Sequence, residues 1–262
     1  MDAKSAIIAF FIAAILVCTV AAIADTGQQN AGSVVTVTTT APEVESITLN
    51  PVEIRITPGI GAELEVTANV FGPNGIGYID RVEITAIDPD YAEKPYFAES
   101  FPLPIEMDLR EVDADTRGKY GVNIGIINMP PGTYVLTVTA TDQEGNVGRR
   151  TAEFTVWATL AIDVTDVEFG ALQVGTSSDG SSEVTNTGNI PIKFDKAYGI
   201  SPSDMTSDTG ATIAVENIAT TWKWKTVIDV LNSAEVGFRL NVPFGTPPGR
   251  YTGTIVFTPE PA

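Results

Sequence analysis

Histidine does not occur anywhere in the 262 residues, and cysteine occurs once, as Cys18. These two absences exclude Ser-His-Asp and Cys-His catalysis, histidine general bases and zinc sites of the usual Cys/His kinds. They also exclude a disulfide within the chain, so stability has to come from core burial. Basic residues are scarce: 15 Lys and Arg stand against 33 Asp and Glu, a net charge of −18. That field repels phosphate backbones and anionic lipid, which argues against nucleic acid as a partner and against adsorption to membrane surfaces. No Asn-x-Ser/Thr sequon is present, so N-glycosylation is not expected. What remains is a chain that is 44% hydrophobic, enough for a packed core, with an acidic surface whose plainest role is solubility.

The one long apolar run is N-terminal. Lys4 precedes Ser5 to Ala24, which carry no charge, and Ala22-Ile23-Ala24 fits a small-x-small cleavage site. Residues 1–24 therefore read as a cleaved secretory signal, with Asp25 as the mature N-terminus. The run is also long enough for an uncleaved membrane anchor or a pilin-like helix. Val17 stands where lipoprotein signals carry a small residue, which argues against lipidation of Cys18. All these readings place the remaining chain outside the cytoplasm, with contact to membrane only through residues 5–24. Residues 25–43 are polar and Thr-rich and read as a linker or a spare strand. Within them "SVVTVTTT" has strong β-propensity, with Val35 and Val37 on one face.

From residue 44 the hydrophobic period is two. Leu64, Val66, Ala68 and Val70 alternate with polar neighbours, as do Val82, Ile84 and Ala86, then Val122, Ile124 and Ile126, then Tyr134, Leu136, Val138 and Ala140. Half-buried antiparallel strands produce this alternation. Residues 104–118 are the nearest approach to a helical segment outside the N-terminus. Further on, "EVTNTGNIPIKF" reads as a β-hairpin, and Val236, Phe238, Leu240 and Val242 form another alternating strand. Each half runs an alternating strand into Pro-Pro-Gly and leaves through a Tyr-led strand, at Tyr134 and again at Tyr251. Proline sets φ for such a turn, glycine accepts positive φ, and the tyrosine can return its hydroxyl to a loop backbone. The repeat predicts an all-β chain of two tandem Ig-like antiparallel β-sandwiches, residues 44–157 and 158–262, after the N-terminal hydrophobic export helix. The Tyr-led strand is followed by a return strand in the first half, whereas in the second it runs to Ala262. The second sandwich is thus expected to present an unpaired edge, to which residues 33–40 of another copy could add.

"PPGTYVLTVTATDQEGNVGRRTAEFTV" resembles the closing strands of Ig-like and PKD-like sandwiches in prokaryotic surface proteins. "VTNTGNIPI" and "VPFGTPPGRYTGTIVF" resemble Ig-like modules of secreted archaeal proteins. The resemblance covers roughly residues 44–262 and implies a β-sandwich fold and an extracellular setting.

Candidate site residues are few. Asp88, Asp90, Asp113, Asp115, Asp142 and Glu144 could supply oxygen ligands to Ca²⁺, though their spacing matches no EF-hand, and Asp at strand ends commonly forms Asx-turns. No other cofactor is expected. Trp222 and Trp224 could make an aromatic platform for sugar rings, but alternation alone predicts a core-facing pair with Lys223 and Lys225 toward solvent, which is the favoured reading. Asp25-Thr26-Gly27 and Asp208-Thr209-Gly210 look like the paired motifs of aspartic proteases, but the first sits at the cleavage site, and coincidence in a Thr- and Asp-rich chain accounts for both. The reading is a non-enzymatic extracellular structural or interaction protein whose partners are copies of itself, other surface proteins or glycans. The alternative is a carbohydrate- or protein-binding module on a stalk.

Overall fold

The computed structural model describes residues 34–89, 103–127, 129–223 and 226–262. The chain is nearly all β, with several antiparallel sheets, consistent with a β-sandwich. No helix among the described residues is long and apolar enough to cross a membrane, and the N-terminal apolar run lies outside them.

In the first half the strands are β1 (Glu43–Asn50), β2 (Glu53–Ile54), β3 (Ala62–Phe71), β4 (Ile79–Asp88), β5 (Ile105–Glu106), β6 (Asp108–Ala114), β7 (Arg117–Ile126), β8 (Gly132–Asp142) and β9 (Val147–Val156). They form two sheets, β1-β3-β7-β6 and β2-β9-β8-β4-β5, in which only the short β2–β9 pair is parallel. The inner faces share one apolar cluster. Leu64, Val66, Ala68 and Val70 of β3 face Leu136, Val138 and Ala140 of β8, and all are fully buried, as the alternation requires.

The second half comprises β10 (Ile162–Val164), β11 (Ser177–Asn186), β12 (Ile192–Phe194), β13 (Ile200–Pro202), β14 (Met205–Ser207), β15 (Thr212–Ile213), β16 (Ile218–Thr220), β17 (Ser233–Asn241), β18 (Tyr251–Thr252), β19 (Ile255–Phe257) and β20 (Pro259–Pro261). One sheet is ordered β10-β11-β17-β16, the same chain-order plan as β1-β3-β7-β6. Opposite it, the segment from Tyr251 to Pro261 pairs successively with β14, β13 and β12. Its apolar core is separate, built on Val184, Ile192, Phe194, Val236 and Phe238, with a smaller cluster at Ile213, Leu240 and Val242. Burying one such side chain is worth roughly 1.5–3 kcal/mol. Ion pairs such as Arg117–Glu45 and Arg239–Asp179 are exposed and screened by water, so the clusters hold the fold.

Three local expectations are corrected. Residues 105–114 form strands, not a helical turn: β6 is an exposed edge strand with two register shifts against β7, and its lack of buried residues hid its period. A bulge between Ile84 and Ala86 turns Ile87 rather than Ala86 into the core. "EVTNTGNIPIKF" is not a hairpin, because β11 pairs with β10 and β17 while β12 pairs with β20. Its Asn-Thr-Gly-Asn turn is a corner between sheets. Asn186 accepts from the Gly188 N–H and donates to the carbonyls of Ile190 and Ile228, so side-chain bonds replace the ladder.

Asn189, 2% exposed, stitches the two halves together. Its amide donates to the carbonyls of Met129 (2.8 Å) and Trp157 (3.0 Å), and its Oδ1 accepts from the Thr159 N–H (2.6 Å). Every partner fixes which end of the amide is nitrogen and which is oxygen.

Candidate functional site

Both Pro-Pro-Gly runs make the same connection. The first leads from β7 into β8 and the second from β17 into β18, each time from one sheet into the other. In each, the tyrosine hydroxyl donates to the carbonyl of the first proline four residues upstream: Tyr134 to Pro130 at 2.5 Å and Tyr251 to Pro247 at 2.8 Å. Burial differs sharply. Tyr134 is 2% exposed, and that burial pushes its phenol pKa up to about 12. Tyr251 is only half-buried, and its hydrogen bond is open to solvent.

The contrast follows from strand neighbours. β8 lies between β4 and β9, and the four core-facing residues from Tyr134 to Ala140 are covered. The corresponding segment from Tyr251 to Pro261 has β12, β13 and β14 along one edge and no strand of the described residues along the other. A groove of about 1270 Å³ lies along that open side. Its walls are the segment around Phe169 and Leu172 and the edge from Tyr251 to Phe257, and its floor is core: Ile213, Leu240 and Val242 are at most 9% exposed. Ser203 N–H donates to the Thr254 carbonyl and Thr258 N–H to the Gly199 carbonyl. Because ladder bonds alternate, the backbone groups of Ile255 and Phe257 point to the open side.

Of the residues singled out from sequence, Asp142 sits at the end of β8 and is buried. Its Oδ1 accepts from the N–H groups of Glu144 and Asn146, and its Oδ2 from the Asn146 amide. Burial raises its pKa, but these bonds together outweigh that and hold it below the ordinary carboxylate value. It therefore makes the Asx-turn that its position at a strand end allows. Asp88 lies at the end of β4, Asp113 in β6, Asp115 in the following turn, and Glu144 in the turn after Asp142; Asp90 lies outside the described residues. No three acidic, histidine or cysteine side chains among the described residues come together as a metal site.

Trp222 faces the core. It is 8% exposed and packs edge-on against Phe194, with ring centroids 6.0 Å apart. Thr221 to Lys223 belong to no strand, and the Thr226 N–H and hydroxyl both bond to the Lys223 carbonyl. Trp224 lies outside the described residues. Asp208 is exposed at the tip between β14 and β15, whereas Asp25 lies outside the described residues. Val35 and Val37 are 85% and 80% exposed and belong to no strand. Sequence reasoning missed Asn189 and the far wall of the groove; the clue to that wall was Val167, Phe169, Leu172 and Val174 in the connection from β10 to β11.

No protein-family model matches the chain, and no curated protein matches it either. Similar solved structures include a protein of unknown function from Porphyromonas gingivalis W83, at 13% identity over 74% of this chain and 83% of that one, TM-score 0.23. A carbohydrate-binding module from the β-sandwich superfamily is similar at 14% identity, covering 86% of this chain and 94% of that one, TM-score 0.28. The C-terminal domain of the antigen I/II-family protein AspA of Streptococcus pyogenes is similar at 10% identity, covering 84% and 96%, TM-score 0.24. At such scores these likenesses carry no weight for fold or function.

Proposed function

We propose that the chain is a non-enzymatic extracellular protein of the cell surface, built of two tandem Ig-like modules, residues 44–157 and 158–262, with a structural or interaction role. The observation that carries this reading is the repeated plan. β1-β3-β7-β6 and β10-β11-β17-β16 share one strand order, and each half crosses between sheets through Pro-Pro-Gly into a tyrosine bonded back to its first proline. A tyrosine corner at such a crossing, beside a four-strand sheet of that order, is the Ig-type arrangement. The absence of histidine and the burial of Trp222 both weigh against chemistry or sugar stacking on these modules. Export rests on the uncharged run from Ser5 to Ala24.

Protease treatment of intact producing cells, with N-terminal sequencing of the protein they carry, tests the reading. It expects a protein removed from the outside and beginning at Asp25. A protein protected until the cells are lysed contradicts it.

A further inference from the structure

We infer that the groove beside Tyr251–Phe257 is the vacant place of a strand, and that residues 34–40 of a second copy fill it. The inference rests on the tandem-module reading, because β9 of the first half occupies the place that no strand of the described residues fills in the second. β9 lies against β8 and sends Phe154 and Val156 into the core. In the second half the corresponding edge is open, the backbone groups of Ile255 and Phe257 face it, and the floor of the groove is apolar core. An edge of this kind binds an extended segment through main-chain hydrogen bonds, with alternate side chains entering the groove.

Residues 34–40, "VVTVTTT", fit that requirement. They are uncharged, rich in β-branched residues and alternating, so Val35 and Val37 can enter while the intervening threonine faces out. Val34, Val35 and Val37 are at least 80% exposed and need cover. In a chain of net charge −18 an uncharged segment is the part that another copy can approach with least repulsion.

The segment joins the Thr40–Ala262 unit at a point far from the groove. The Pro42 carbonyl packs against Gly148, at the start of β9, whereas the junction with the second half follows the end of β9 at Trp157. The ten residues of β9 span about 30 Å. The stretch from Thr40 back to Val34 reaches at most about 22 Å even when fully extended. The point where the segment joins the Thr40–Ala262 unit, Thr40 to Pro42, and the groove therefore lie toward opposite ends of that unit, and contact between copies is head-to-tail. Such a heterologous contact does not close on itself, and it builds a filament.

Sedimentation velocity and electron microscopy of the protein purified from producing cells test this, beside the full chain carrying Val35→Asp and Val37→Asp. Both positions are exposed, so the aspartates leave each half folded. The expected result is linear polymers that lengthen with concentration for the parent, loss of every species above monomer for the variant, and dispersal of parent polymers by excess peptide of residues 33–41. Polymers unchanged in the variant would mean that another segment fills the groove, and would overturn the inference. A parent monomeric at high concentration overturns it too. If protease still removes that monomer from intact cells, the surface reading stands and only the strand exchange is lost.

Discussion

The side-chain amide of Asn189 lies 2.8 Å from the carbonyl oxygen of Met129, sixty residues earlier in the chain. With its bonds to Trp157 and Thr159 it satisfies three backbone groups at the junction of the halves. Asn189→Ala orphans all three, and a buried polar group left unpaired costs about 1–3 kcal/mol. The thermal midpoint should fall by several degrees, and calorimetry should show the halves beginning to melt separately. A variant as stable as the parent, melting in one transition, would remove Asn189 from the junction.

The two tyrosine corners should respond unequally. Tyr134→Phe leaves the Pro130 carbonyl buried without its donor, at a cost of about 1–3 kcal/mol. Tyr251→Phe loses a bond that is open to water, so in the monomer it should cost under about 1 kcal/mol. Urea unfolding of each variant separates the cases, and equal losses would contradict the difference in cover.

Tyr134 also predicts an alkaline limit. Its folded pKa, pushed up to about 12 by burial, lies above the unfolded value near 10. The neutral phenol is favoured in the folded state, so its contribution is fully present below about pH 10 and is lost as pH rises toward 12. Stability measured across that window should fall more steeply for the parent than for Tyr134→Phe. Identical slopes would contradict it.

Asp142 sets the opposite slope. Its folded pKa is depressed, so its contribution is present above the unfolded value near 3.9 and disappears as pH falls through the folded one. Asp142→Asn points a second amide at Asn146 and should flatten the loss of stability below pH 4. Because the Asp142 oxygens are already engaged by the turn, a chelator should leave the midpoint unchanged; a drop on adding EGTA would restore a calcium role.

Much of the strand layout is legible in the sequence because burial alternates with period two wherever one face is core. Leu64 to Val70 and Tyr134 to Ala140 show it, and the two Pro-Pro-Gly-x-Tyr runs mark equivalent corners. What escaped depends on partners distant in sequence. β6 has no buried side chain to carry a period, and the bulge after Ile84 answers to β8. "NTGN" has the composition of a hairpin turn, but Asn189 is claimed by backbone of the first half. Trp222 alternates with Lys223 and Lys225 as a core-facing residue would, but its partner Phe194 could not be read from that pattern. The groove was legible only as a missing strand, since its floor comes from β15, β17 and Val242, and its walls from the β10–β11 connection and the edge from Tyr251 to Phe257.

Amide hydrogen exchange at Ile255 and Phe257, read in dilute protein and again after concentration, tests the central claim most directly. The account predicts fast exchange at both in the dilute monomer, slow exchange at Leu136 and Val138 of β8 throughout, and protection of Ile255 and Phe257 only as polymers form. Amides at Ile255 and Phe257 already as protected as those of β8 in the monomer would mean that the edge is not open, and would contradict it.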